Sequence, residues 1–77
     1  MTPVDESFNA YRHCRSVKDE KKVRDKITDS YWAVFYCLDV KDRKSIRDRI
    51  TETFDLELYR AYLKQKKNNT YKSPYHK

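Results

Sequence analysis

Nucleophilic or metal chemistry in this chain would have to start from two Cys and two His. His13 and Cys14 are sequence neighbours, and a thiol beside an imidazole is the beginning of a nucleophile and its base. On a helix, however, adjacent side chains point about 100° apart, a poor geometry for proton transfer. His76 lies in the C-terminal tail. A metal site would need closely paired ligands, and neither a Cys-x2-Cys nor a His-x3-His spacing occurs. The acids Asp25, Asp29, Asp48 and Glu52 lie beside cations, where ionised surface carboxylates are the default. The chain contains no glycine, which excludes every Gly-rich loop that cradles a phosphate. No enzyme, no metal and no cofactor is expected.

What must position these residues is a repeat. Residues 5–27 (DESFNAYRHCRSVKDEKKVRDKI) and 28–50 (TDSYWAVFYCLDVKDRKSIRDRI) align without a gap, with ten of 23 positions identical. Cys14 and Cys37 occupy the same repeat position. A third, decayed copy begins at Thr51 and keeps Phe54, Tyr59 and the Lys64/Lys66 pair. Repeats of this length pair a helix with a turn and stack because one unit cannot bury its own face.

The expected fold is all-α, a small antiparallel arrangement of three helices over residues 3–15, 19–38 and 42–66. Pro3 suits a first helical turn. Ser16-x-x-Asp19 and Asp39-x-x-Asp42 resemble capping boxes ahead of the second and third helices. Apolar stripes at spacings of three and four follow Val4, Phe8 and Tyr11, then Val23, Ile27, Tyr31, Val34 and Leu38, then Ile46, Ile50, Phe54, Leu58 and Ala61. Lys21–Asp25 and Lys44–Asp48 are i,i+4 pairs on solvated faces. In an antiparallel hairpin Cys14 and Cys37 would fall at opposite ends of a helix about 27 Å long, too far apart to bridge. Both are expected to be buried small apolar residues.

The two long helices carry a second apolar face. Trp32 and Tyr36 sit opposite the stripe of the second helix, and Leu56, Tyr59 and Leu63 opposite that of the third. A 77-residue chain has little with which to cover both, and Trp and Tyr are frequent interface anchors. These five residues are the expected contact with a larger protein complex, or with a second copy in a homodimer.

Charge is uneven. Residues 64–77 hold five Lys (Lys64, Lys66, Lys67, Lys72 and Lys77) and no acid, while the other 63 residues hold 13 basic and 12 acidic groups. The division is therefore a helical domain over 1–66 and a basic extended tail over 67–77. Those lysines are candidates for RNA or another acidic surface, with Tyr71 and Tyr75 placed to stack on bases. The longest apolar run, Tyr31–Leu38, is too short to cross a membrane, which takes roughly 20 residues. No signal-peptide pattern stands at the N-terminus, so the chain is expected to remain where it is made or to be imported without a cleaved leader.

Residues 31–39 (YWAVFYCLD) with Cys14 and Cys37 resemble the twin Cys-x9-Cys (CHCH) family of small mitochondrial accessory subunits, of the cytochrome c oxidase subunit VIb type. The positions of that family's first cysteines hold Val4 and Ile27 here, so neither Cys14 nor Cys37 has the disulfide partner the family would supply. The resemblance implies a non-catalytic subunit of a mitochondrial respiratory complex or ribosome. The alternatives are a nucleic-acid-binding regulator and a small inhibitor of a host enzyme, with a cytoplasmic location.

Overall fold

A computed structural model describes residues 3–75 of the chain. Five helices follow one another: α1 (Pro3–Ser16), α2 (Lys21–Arg24), α3 (Ser30–Asp39), α4 (Lys44–Arg47) and α5 (Thr53–Lys67). The chain is all-α, and none of its described helices is long and apolar enough to cross a membrane.

The two long helices expected over 19–38 and 42–66 are each broken into a single turn and a longer helix. The reason is local competition for backbone donors. Ser7 of α1 is fully buried, and its Oγ accepts the N–H groups of Thr28 (3.1 Å) and Asp29 (3.0 Å). Twenty-three residues on, Ser30 Oγ accepts those of Thr51 (3.1 Å) and Glu52 (3.3 Å). An N–H turned to a hydroxyl cannot continue a helix, and Thr, Asp and Ser favour such exits over the helical interior. Asp29 adopts extended backbone and its carboxylate accepts the Trp32 N–H at 3.2 Å, capping α3. The expected capping boxes are not formed. Glu20 and Arg43 precede α2 and α4 without a side-chain cap, while Asp19 and Asp42 bond elsewhere.

These breaks also decide how the helices run. The second turn of α1 touches the residues that open α3, through Ser7. The segment after α1 touches the far end of α3, where Tyr36 donates to Asp19 at 2.8 Å. Start meets start and end meets end, so α1 and α3 run in the same sense. Ser30 and Tyr59 relate α3 to α5 in the same way, Tyr59 donating to Asp42 at 2.9 Å. The antiparallel arrangement is therefore corrected. The one-turn helices α2 and α4 lie on the return path that brings each long helix back beside the start of the last.

At the centre lies α3. Every residue from Trp32 to Leu38 is buried, joined in the core by Ala10, Tyr11 and Cys14 of α1 and by Ile27, Ile46, Ile50 and Tyr59. A helix apolar on all sides must be covered on all sides, and α1, α4, α5 and the returning tail together do that. The first two stripes reach the core apart from Val4, while the third keeps Ile46 and Ile50 there but neither Phe54 at its middle nor Ala61 at its end. Phe54 is 70% exposed and Val4 half-exposed, and Ala61 is exposed as well.

α5 ends without glycine. Asn69 takes the left-handed backbone (φ 59°), Thr70 N–H bonds Gln65 C=O at 2.9 Å and Asn69 N–H bonds Lys66 C=O at 3.1 Å. Asn tolerates this conformation better than any residue but Gly. The turn sends the chain back across the molecule. Replacing Ser7 by Ala leaves two backbone donors without their buried acceptor and should lower stability by about 1–2 kcal/mol. A denaturant midpoint unchanged from wild type would contradict this role.

Candidate binding surfaces

The tail is not free. Tyr71 donates to Asp39 at 2.6 Å and Ser73 to the same carboxylate at 2.7 Å, which also receives the Tyr11 hydroxyl. An acid at the end of a helix opposes the helix dipole, and three hydroxyls turned onto Asp39 offset that. Lys66 adds an ammonium to the same end, donating to Leu38 C=O at 2.6 Å. The Tyr75 ring stands 4.9 Å from both Trp32 and Phe35, and its hydroxyl meets that of Tyr31 at 2.5 Å. The expected extended tail is corrected accordingly: residues 71–75 fold back, and Tyr71 and Tyr75 pack inside the molecule rather than waiting for bases.

The expected partner face is covered by the same packing. Trp32 and Tyr59 are each 8% exposed and Tyr36 is wholly buried. Phe8 and Tyr11 lie 4.7 and 5.4 Å from Trp32, centroid to centroid, so α1 covers one side of the indole and Tyr75 another. Leu56 and Leu63 are half-buried against the core. Because the breaks at 25–29 and 48–52 reset the helical phase, faces drawn on continuous helices do not coincide with surfaces of the molecule. Of the candidate lysines, Lys64, Lys67 and Lys72 are exposed, Lys66 is committed to α3, and Lys77 lies outside the described residues.

Two aspartates missed as anything but caps organise the joins between successive helices. Asp19 receives Tyr36, and it pairs with Arg24 at 3.2 Å and Arg43 at 3.1 Å. Asp42 receives Tyr59 and pairs with Arg47 at 2.7 Å. Burial alone would raise the Asp19 pKa, but the hydrogen bonds from Tyr36 and Arg43 and the two guanidinium charges outweigh it and hold the carboxyl below its ordinary value. Tyr36 and Tyr59 are pushed up to about 12, by burial first and then by their aspartates. The signal was present in the sequence: Ser7/Ser30, Asp19/Asp42 and Arg24/Arg47 are all among the identical repeat pairs.

The groups suited to chemistry are committed to structure. Cys14 and Cys37 are buried and unbridged. Burial raises both thiols, Cys37 to about 12, so neither is a thiolate at neutral pH. His13 Nε2 meets Glu20 Oε2 at 2.9 Å. Among the described residues no three His, Cys, Asp or Glu side chains gather as a metal site. Lys21–Asp25 and Lys44–Asp48 form at 2.9 and 2.8 Å on the surface, as expected.

One further surface was not foreseen. Phe8, Arg12, Arg15 and Ser16 of α1 face Pro74 and Tyr75 of the returning tail across a hollow of about 560 Å³. Compared with known protein families, with curated proteins and with solved structures, the chain matches none.

Two outcomes follow. Asp19→Asn should cost about 1–3 kcal/mol at neutral pH, where the carboxylate is fully ionised. Because its folded pKa is depressed, that contribution is present above the unfolded value of about 4 and is lost as pH falls through the folded one. The gap between variant and wild type should therefore narrow below about pH 4 in acid denaturation, and a constant gap would refute the assignment. Removing residues 70–77 should redden the Trp32 emission and lower stability by about 2 kcal/mol while helicity persists. Unchanged emission would mean that the tail does not cover the indole.

Proposed function

We propose that the chain is a stack of three 23-residue units that serves as a non-catalytic subunit of a larger assembly, joined through the open side of α5. One observation carries this reading. Phe8 of the first unit packs on Trp32 of the second, at 4.7 Å. Phe54 holds the same place in the third unit and is 70% exposed. An exposed Phe at a position that in the first unit receives the next one invites a helix from a partner to continue the stack.

The rest of that surface fits a partner that also leaves and returns. Glu57 and Arg60 stand where Val34 and Cys37 are buried one unit earlier, so an apolar anchor is set in a polar rim. The non-catalytic reading is supported by the raised thiols, the paired carboxylates and the His13–Glu20 contact. The resemblance of residues 31–39 to mitochondrial accessory subunits supports a respiratory complex or ribosome as the assembly.

Phe54→Glu tests the surface with little expected change in stability, since exposed substitutions usually stay within about 0.5 kcal/mol. Tagged wild-type protein should co-purify a fixed set of proteins that survives nuclease and moderate salt, and the variant should lose it with helicity intact. Retention of that set by Phe54→Glu would overturn the role of α5.

A further inference from the structure

We infer that the hollow between α1 and the returning tail is a nucleotide-phosphate site, fitted to a unit of single-stranded nucleic acid. It lies away from Phe54 and goes beyond the assembly role. The inference begins with charge. Arg24, Arg43, Arg47 and Arg49 each have an aspartate within 3.5 Å. Arg12 and Arg15 have no carboxylate partner among the described residues, and both line the same hollow.

Their side chains are held by neutral groups instead. Arg12 lies over the Phe8 ring at 5.8 Å. Arg15 lies over the Tyr11 ring at 5.1 Å and donates to the Tyr11 hydroxyl at 3.0 Å and to the Tyr75 carbonyl. A guanidinium carries five donors and no acceptor, so Arg15 retains donors after both bonds. The helix dipole favours a cation in the last turn of α1 and so accounts for Arg15. Arg12 stands a turn earlier, where that effect has faded, and needs another reason.

Chemistry selects the ligand. Two convergent guanidiniums suit phosphate oxygens, which they bind through paired N–H groups. The half-buried Phe8 and Tyr75 rings give the hollow an apolar wall beside the guanidiniums, against which a sugar or the edge of a base can rest. A volume of about 560 Å³ falls in the range that holds one small ligand, about 300–1,000 Å³. The exposed Lys72, two residues before Pro74, extends the positive charge beyond one phosphate. That favours a strand of phosphates over an isolated one.

The test compares labelled single-stranded RNA of twelve nucleotides with a labelled mononucleotide, titrated at low salt against wild type, Arg12→Glu and Arg60→Glu. Arg60 is exposed on α5 and makes the two substitutions equal in charge. Arg12 has no carboxylate partner to lose among the described residues, and unchanged helicity and melting would establish that the variant is folded. Binding of RNA, weakened about tenfold or more by Arg12→Glu and within about twofold by Arg60→Glu, is the expected result, with a shallower salt dependence in the Arg12 variant. Mononucleotide binding with the same pattern would support the site and identify a free nucleotide as the source. Equal losses in both variants would reduce the effect to net charge, and absence of binding in both arms would overturn the site.

Discussion

Asp19 and Asp42, the carboxylates that follow the first two long helices, are what the rest of the structure depends on. Each receives the phenol of the next long helix and the guanidinium of the one-turn helix behind it. They fix where the end of one long helix lies against the next, as Ser7 and Ser30 fix where each begins. Two anchors per interface define both translation and direction, so successive long helices run in the same sense. In a chain with 39% charged residues, much of the interior geometry is set by polar groups that satisfy one another rather than by apolar contact alone.

Burial of α3 is the second consequence. Once α1 and α5 flank it in the same sense, its aromatic residues face three directions, and the returning tail takes the direction left open. Tyr75 reaches Trp32 and Phe35, while Tyr71 and Ser73 hold Asp39. A small domain has a high ratio of surface to volume, and this one lengthens its core by folding a basic terminus over it. The aromatic surplus that suggests a foreign partner is thereby largely used within the molecule, and among the described residues Phe54 remains as the large exposed ring.

Charge is sorted by the same geometry. Aspartates near the return segments collect the arginines of α2 and α4, and Arg49 spans Asp25 and the carbonyls of Arg24 and Ile27. The guanidiniums of α1 fall outside this network because the acids of that helix, Asp5 and Glu6, lie in its first turn. The result is a molecule whose aspartates and arginines pair at the joins between helices, with two arginines that have no carboxylate partner among the described residues beside two rings on one flank.

Sequence by itself determined the helical class, the burial of both cysteines, the surface pairs Lys21–Asp25 and Lys44–Asp48, and the stripe of Ile27, Val34 and Leu38, because those depend on spacing within a turn or two. It also held the anchor residues in plain view as identical repeat positions, although an identity at a 23-residue spacing does not say what the residue bonds to. Tertiary structure alone decided where the helices break, which way they run and what covers Trp32, Tyr36 and Tyr59. A Ser hydroxyl can cap a helix, return to its own backbone or stop another segment 21 residues away, and these choices differ little in local energy. Only the packing of α1 against α3 makes the last of them the best, and with that choice the phase of every later residue is reset.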